Sequence, residues 1–355
     1  STVIHTAEGF EAKQSASQIM ESALNVLKYE IRDVQGKTIY VDIDPNYTGL
    51  IFKEDSPIRS SIGDLEAKQT VLKPNFAAVV IDHIIQAGIS SGDTVAVGMT
   101  GSMPGANIAV LSACKAMDVH TVVITSVGSS TWGATDPDFT WLDMESVLLD
   151  SGIFNQKSIA ASMGGKGDCL RRSGKRGGKA GRTIVKRAAN RNGIPLIEYV
   201  LPIEEQNVSK SISKRIELYS HVQGGLENYD AFINVGGGVT NVGVGGKKKF
   251  PQPGFLSPES ILEMNPRNSL IRNFAQVNVP VIHISHISHL VKDIIPFGSE
   301  KLKTGQGRLY KEERYNLLVA GIALILSLGL VVGIGIYSHE QIKKRMQSYE
   351  PESIL

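Results

Sequence analysis

Cysteine is scarce in this chain: only Cys114 and Cys169 occur among its 355 residues. Two cysteines so far apart exclude the disulfide framework of a small secreted domain, and their spacing does not match a structural zinc site. We therefore expect no bound metal. The cysteine content does not indicate a redox compartment.

An excess of charge of either sign is also lacking. The chain has 37 Lys and Arg residues against 35 Asp and Glu residues, a net charge of +2, which excludes a polyanion-binding surface spread over the whole chain. A hydrophobic fraction of 42% and a charged fraction of 20% are typical of globular proteins. The sequence has neither a G-x-G-x-x-G nor a Walker motif, so no nucleotide or other cofactor is predicted.

Long apolar runs are absent except for one, residues 317–337, which form a 21-residue stretch without a charged side chain. This length fits a transmembrane helix, and Tyr315 and Tyr337 at its ends are typical of an interfacial aromatic belt. A buried core helix is the alternative. Gly329 and Gly333 form a G-x-x-x-G pattern, which leaves a homo-oligomer open.

We therefore predict a single-pass protein of the cell membrane. Five basic residues precede the span and three follow it, which favours a cytoplasmic globular part. Large domains cross membranes largely regardless of flanking charge, so the side stays open. The sequence starts at Ser1 without methionine; either the initiator was removed or an amino-terminal signal or anchor is missing.

The organising stretch is residues 93–130. Apolar runs at 94–99 and 121–127 predict two buried parallel strands, and the Ala-rich pattern at 106–117 predicts the helix between them. Such a unit predicts an α/β fold, with a Rossmann-like, mostly parallel sheet flanked by helices. Loops after both strands then fall at the carboxyl edge of the sheet, where open α/β sheets bind ligands.

Small and polar residues of these loops are the first candidate ligand-binding residues: Thr100, Gly101, Asn107, Ser129 and Ser130. Ser102 lies in the sequence GSMPG, which imitates the nucleophile elbow of hydrolases and makes this serine a candidate catalytic residue. Pro104, two residues further on, argues against a strained elbow. A tight turn without a ligand is the alternative for the loop as a whole.

Two further loops supply candidates. Residues 131–145 interleave aromatic and acidic side chains, so Trp132, Asp136 and Asp138 are predicted either to form a site wall or to pack as a loop. Thr140 is expected to cap a helix over 142–150. The predicted strand 231–235 is followed by a third candidate loop that contains Gly236, Gly237, Gly238 and Asn241, where backbone N–H groups can approach a ligand closely.

Basic residues are concentrated in residues 163–191, where ten Lys and Arg residues against one Asp give a net charge of +9. Lys175, Arg176 and Lys179 are the candidate polyanion-binding residues, with a solvated mobile loop as the alternative. Because no aromatic residue occurs here to stack on bases, we expect no nucleic acid partner.

The chain divides accordingly. We predict an amphipathic helix within 1–35, an α/β domain over 36–298 with two halves that could meet near 200, a linker over 299–316, the membrane helix 317–337 and a tail 338–355. A strand is predicted at 38–43. His283, His286 and His289 have a spacing that invites a metal interpretation, but no cysteine or acidic residue nearby completes a ligand shell.

Three of these motifs together resemble the poly-gamma-glutamate system protein family: TGSMPGANIA at 100–109, SVGSSTWGATDPDFTWLD at 126–143 and VGGGVTN at 235–241. The resemblance implies a bacterial membrane component of the synthesis or export of poly-gamma-glutamate, a capsule polymer. It also implies the synthase membrane proteins as partners, and it is consistent with the lipid bilayer as the partner of the span 317–337. No catalytic residue follows from it.

The leading expectation is therefore an accessory component that binds the anionic polymer or a precursor at the carboxyl edge of the sheet. Two alternatives remain. One is a serine-dependent amidase or hydrolase that uses Ser102 with Asp136 or Asp138 and a histidine of the 283–289 cluster. The other is a scaffold that assembles the synthase through its membrane helix.

Overall fold

The computed structural model describes residues 2–52, 56–170, 178–197, 206–243 and 251–348. The chain forms two compact units, one of residues 8–310 and one of residues 1–7 with 311–355. In chain order the strands are β1 (Thr2–Thr6), β2 (Arg59–Ser61), β3 (Thr94–Thr100), β4 (His120–Ser126), β5 (Ser129–Ser130), β6 (Ala160–Ser162), β7 (Ala231–Val235), β8 (Gly254–Leu256), β9 (Val281–Ile284) and β10 (Lys311–Tyr315). The helices are α1 (Phe10–Tyr29), α2 (Leu65–Val71), α3 (Asn75–Gln86), α4 (Pro104–Ala116), α5 (Trp141–Asp150), α6 (Gly178–Arg191), α7 (Gln206–Gln223), α8 (Val239–Val242), α9 (Pro258–Met264), α10 (Leu270–Gln276), α11 (Ile287–Leu290) and α12 (Leu317–Gln347).

The larger unit is built on a six-stranded sheet in the order β6-β4-β3-β7-β9-β8. All neighbours are parallel except β8, which runs antiparallel to β9 at one edge. The α/β fold and the mostly parallel sheet flanked by helices are therefore as predicted. Because every parallel strand ends on the same side, the loops after β3, β4, β6 and β7 share the carboxyl edge.

Strands β3, β4 and β7 are apolar on both faces because the sheet is covered on both sides. Alternate residues point in opposite directions, so Val95 and Val97 face one core while Ala96 faces the other. The first core is closed by α1, α3 and α4, and the second by α7, α9 and α10. The predicted helix of the central unit begins at Pro104, where proline is well tolerated since the first helical N–H has no partner.

The strand predicted at 38–43 is wrong: these residues form an irregular segment and a turn. Tyr40 and Val41 are exposed, so this β-branched run has no sheet to join. Conversely, β2 and β5 form a short parallel pair that the sequence did not predict. This pair ties residues 59–61 to the loop after β4, and thereby carries the segment before α2 to the carboxyl edge of the central sheet.

Within the predicted linker 299–316, residues 309–310 are packed into the larger unit. Leu309 and Tyr310 are buried, and the Tyr310 hydroxyl donates to Asn75 Oδ1 over 2.6 Å. Lys13 Nζ donates to the Leu309 carbonyl oxygen over 3.0 Å and pairs with Asp82 over 2.6 Å. These contacts hold residues 309–310 against α1 and α3 as part of the larger unit.

The smaller unit contains the antiparallel pair β1 and β10, in register from Thr2 opposite Tyr315 to Thr6 opposite Lys311. Helix α12 follows directly. Asn316 caps it by accepting the N–H groups of Leu318 and Val319. With a mean hydropathy of 2.8 over its most apolar 18 residues, α12 is long and apolar enough to cross a membrane. It contains the predicted span 317–337 and extends ten residues beyond it, to Gln347.

Candidate functional site

A cavity of about 450 Å3 opens at the carboxyl edge of the central sheet. Its wall is assembled from segments far apart in the chain that follow β2, β3, β4, β6 and β7. Its lining comprises residues 60–64, 99–100, 102–103, 164–166 and 235–241, with Lys68, Ser126, Gly128, Ser130 and Asp168. Serine, threonine and glycine residues make up more than half of this lining, so hydroxyl groups and accessible backbone are both present in the cavity.

One of the charged groups of the lining is a buried lysine. Lys68, on α2, is only 2% exposed, and its Nζ donates to the Ser102 carbonyl oxygen and, over 2.8 Å, to Ser130 Oγ. Burial lowers the pKa of Lys68 to about 7, since water no longer stabilises the ammonium, while the nearby charge of Asp64 opposes the effect. Near neutral pH the amine is therefore protonated in only part of the molecules.

The two serines that contact Lys68 are also joined to each other. The Ser130 backbone N–H donates to Ser102 Oγ over 2.9 Å, and the Ser102 N–H donates to Thr100 Oγ1 over 3.1 Å. An added Cβ at Gly63 would lie 3.0 Å from Ser130 Oγ and 3.2 Å from Lys68 Cε. Only glycine leaves the lysine and this serine that close to the backbone, so the pair is held between the ends of β3 and β5.

The glycine loop after β7 forms another part of the lining. Gly236 has φ +85°, a left-handed conformation that disfavours any side chain. Gly237 and Gly238 are exposed, and an added Cβ at either would meet nothing within 4 Å. Within the described part of the chain their backbone N–H groups make no hydrogen bond. These two donors are open to a ligand.

Asn241 also lines the cavity, and its amide is held by a hydrogen bond to a residue of β7. Its Nδ2 donates to Asn234 Oδ1 over 2.7 Å, and Asn234 Nδ2 lies 2.8 Å from His283 Nδ1. Burial lowers the pKa of His283 to about 4, and the nearby His286 adds to the effect. His283 is therefore neutral at physiological pH and acts here as a hydrogen-bond partner of Asn234.

A charged network joins the ends of β4 and β6 next to the cavity. Asp168 and Arg215, each at most 2% exposed, pair over 3.0 Å. Asp168 Oδ1 also accepts from Ser162 Oγ over 2.8 Å, and Arg215 Nη2 donates to Ser162 Oγ over 2.6 Å and to Ser126 Oγ over 3.2 Å. Because Asp168 and Ser126 reach the cavity, this network fixes the ends of β4 and β6 around it.

Six of the residues predicted for the site therefore border this one cavity together with Ser102: Thr100, Ser130, Gly236, Gly237, Gly238 and Asn241. Others predicted lie behind the wall. Gly101 packs on the Val127 carbonyl oxygen, Asn107 Nδ2 donates to the Thr100 carbonyl oxygen over 2.8 Å, and the buried Ser129 Oγ donates to the Gly101 carbonyl oxygen over 3.0 Å. These three support the loops and do not line the cavity.

The aromatic and acidic loop is not part of the cavity lining. Asp136 pairs with Lys37 over 2.6 Å, and its Oδ1 accepts the Asp138 N–H over 2.9 Å. Trp132 is partly buried against the first core. The predicted cap is present, since Thr140 and Asp143 form a reciprocal capping box at the start of α5. Ser102 lines the cavity, whereas Asp136, Asp138 and the histidines of the 283–289 cluster do not.

Of the predicted polyanion-binding residues, Lys175 and Arg176 lie outside the described residues, and Lys179 is exposed on α6. Histidines 286 and 289 stack with ring centroids 6.5 Å apart. Among the residues that the structure describes, no group of three or more His, Cys, Asp or Glu side chains is arranged to hold a metal ion.

Lys68, Asp64 and Lys166 were not predicted as site residues. Lys68 lies in a polar stretch whose sequence does not distinguish it from a surface lysine, and only the docking of α2 buries it. No family model matches the sequence, and comparisons with curated proteins and with solved structures found no match.

Proposed function

We propose that this protein is a membrane-anchored accessory component of poly-gamma-glutamate synthesis or export, and that it binds carboxylates of the polymer or of a precursor in the cavity. The observation that carries the proposal is the convergence of cationic and hydrogen-donating groups on one cavity. Lys68, Lys166 and the N–H groups of Gly237 and Gly238 all belong to its lining.

These groups suit an anion with several oxygen acceptors. Backbone N–H groups and ammonium groups form charge-assisted hydrogen bonds with carboxylates, and serine and threonine hydroxyls add neutral ones. The same lining contains two carboxylates: Asp168 is paired with Arg215 and so adds little net repulsion, and Asp64 accepts the Ala67 N–H at the start of α2. None of the lining residues is aromatic, which disfavours a ligand recognised by stacking, such as a nucleobase or a sugar ring.

The charge of Lys68 would respond to such a ligand. An anion beside a buried amine favours its protonated form, so binding should raise the pKa of Lys68 from about 7 and take up a fraction of a proton. Helix α12 would hold the unit at the bilayer, where an extruded polymer and its synthase are present.

Calorimetric titration of the full chain in detergent micelles with a short γ-linked glutamate oligomer tests the proposal. Lys166→Ala should weaken binding by about two- to fivefold, because an exposed charge contributes up to about 1 kcal/mol. Lys214→Ala is the matched control, since Lys214 is exposed and pairs with Glu217 outside the cavity lining. Equal affinity of wild type and Lys166→Ala, or no binding by wild type, would contradict the proposal.

The same titration with long polymer addresses the basic segment. If residues 163–191 bind the polymer, replacing Lys175, Arg176 and Lys179 by Ala should weaken binding of long chains at low salt and leave the short oligomer unaffected. If the same replacement also weakened binding of the short oligomer, the basic segment and the cavity would bind the oligomer together.

A further inference from the structure

The contact between Lys68 and Ser130 has a feature that binding alone does not require. Lys68 Nζ contacts one carbonyl oxygen and one hydroxyl, and within the described residues it forms no ion pair. A buried amine without a carboxylate partner is readily neutral, and a neutral amine can accept a proton. The group it would accept the proton from lies 2.8 Å away, at Ser130 Oγ.

Ser130 is held in place by its surroundings. Its backbone N–H is fixed by Ser102 Oγ over 2.9 Å, and β5 is paired with β2 on its other side. Since Ser102 Oγ accepts this bond, its own hydroxyl proton is free to point elsewhere. Ser130 and Ser102 both belong to the cavity lining, so both residues border the space that a ligand would occupy.

We propose that the cavity is an acyl-transfer site in which Ser130 is the nucleophile and Lys68 its general base. Serine and lysine in direct contact are an established alternative to serine and histidine. Hydrogen-bond donors for a developing oxyanion are present in the same lining, namely the N–H groups of Gly237 and Gly238 and the hydroxyl of Ser102.

The reaction balances with water as the only co-reactant. Ser130 Oγ attacks the carbonyl carbon of an amide while its proton passes to Lys68 Nζ. The adduct breaks its C–N bond, Lys68 returns the proton to the departing amine, and an ester remains on Ser130. Water then attacks that ester and gives its proton to Lys68; the bond to Oγ breaks, and Oγ takes the proton back. An amide and water become a carboxylic acid and an amine.

The choice of substrate rests on the function proposed above: an amide that carries a carboxylate, such as a γ-linked glutamate chain. The test of the serine does not rest on it. A fluorophosphonate reacts with activated serines whatever their natural substrate, so we expect it to label the full chain in micelles on one serine, Ser130, as located by peptide mass spectrometry. Ser130→Ala should abolish this label, and Ser102→Ala should retain label on Ser130.

Lys68→Met should slow the labelling by about a hundredfold or more, the usual contribution of a general base. The matched control is Lys73→Met. Lys73 is also buried, at 4% exposed, but it donates to the Pro296 carbonyl oxygen over 2.6 Å outside this cavity. Lys73→Met should label at the wild-type rate. Far-UV circular dichroism of each variant separates loss of the base from loss of the fold.

The pH profile gives a second readout. Labelling should increase with pH through about 7 as Lys68 loses its proton, with Asp64, Lys166 and Asp168 as the other charged groups of the lining. Label on Ser102 instead of Ser130, no label on a folded wild type, or equal rates for Lys68→Met and wild type would each overturn the inference. Oligomer binding without labelling would refute this inference alone, and labelling without oligomer binding would refute the carboxylate-binding function alone.

Discussion

The buried pair of Asp168 and Arg215 allows a quantitative test of how the cavity is held together. Both side chains are at most 2% exposed, and Arg215 Nη1 lies 3.0 Å from Asp168 Oδ2. Removing one partner of a buried pair typically destabilises a protein by about 3–5 kcal/mol, because the other charge loses an opposite charge in direct contact. Arg215→Met, which keeps most of the side-chain volume, is therefore the informative perturbation.

The surroundings place the expected value at the lower end of this range. After loss of Arg215, Asp168 still accepts from Ser162 Oγ, from the Gly164 N–H over 2.9 Å and from Ser211 Oγ over 2.6 Å. These donors continue to stabilise the carboxylate in part, so we expect Arg215→Met to lower the free energy of unfolding by about 3 kcal/mol. Asp168→Asn should have an effect of the same order, since it leaves the guanidinium buried.

The free energy of unfolding of each variant is measured by urea unfolding of the full chain in micelles, with tryptophan emission as the signal. Both tryptophans, Trp132 and Trp141, belong to the larger unit, so the signal reports on the unit that contains the pair. The double variant should be more stable than the sum of the two single effects predicts, by about 2 kcal/mol, because it removes both charges of the pair together.

The exposed pair of Lys214 and Glu217, one residue away on α7, is the internal control, and Lys214→Met should change stability by no more than about 0.5 kcal/mol. Effects of Arg215→Met and Asp168→Asn that add within about 0.5 kcal/mol would refute the account, since coupled charges cannot behave independently.

Three further predictions concern stability. Gly236→Ala should destabilise by about 1–3 kcal/mol because φ is +85° there, whereas Gly238→Ala, with φ −59°, should be within about 0.5 kcal/mol of wild type in the same urea assay. Thr140→Ala should lower the free energy of unfolding by about 1 kcal/mol through loss of the α5 cap. A change of less than about 0.3 kcal/mol, with about the same dependence on urea concentration as wild type, would contradict this. Burial raises the pKa of Glu145 from 4.5 to about 7. The protonated carboxyl therefore contributes fully to stability below pH 4.5, and this contribution is lost as pH rises through about 7. Urea curves at pH 5 and pH 8 should show a pH dependence of up to about 3 kcal/mol in wild type, which Glu145→Gln should remove.

The elements that the sequence predicted well are those decided by local composition. The runs at 94–99 and 231–235 are mostly apolar at successive positions, as expected of strands that are covered on both faces, and both become central strands. The run at 38–43 has β-branched residues as well, but whether a strand forms there depends on a neighbouring strand, which no local pattern reveals. The pair of β2 and β5 was missed for the same reason.

The candidate site divides in the same way. Ser102, Ser130 and Gly236–Gly238 were predicted because they follow strands directly, and the topology of a parallel sheet then brings them to one edge. Lys68 was not predicted, because its place depends on how α2 docks against a loop 34 residues further along the chain. Asp136 was predicted from its position after a strand, but the salt bridge with Lys37 holds it elsewhere.

The burial of Lys68 should make this residue unfavourable for folding, which leads to a last prediction. Its pKa falls from 10.5 to about 7, and the difference corresponds to about 5 kcal/mol against the folded state below pH 7, where the unfolded lysine is fully charged. The hydrogen bonds to Ser102 and Ser130 offset roughly 2 kcal/mol of this at about 1 kcal/mol each. Lys68→Met removes both terms, so we expect it to stabilise the protein by about 2–3 kcal/mol at pH 6.

The pH dependence has a definite sign. Between about 7 and 10.5 the unfolded state binds a proton at Lys68 that the folded state does not, so wild-type stability should rise with pH over this range relative to Lys68→Met, and the advantage of the variant should shrink. Urea curves of both proteins at pH 6 and pH 9 measure this. A variant that is less stable than wild type at pH 6 would show that Lys68 is a structural residue. A variant that is more stable and no longer labelled would show stability given up for a reactive amine, as active sites commonly require.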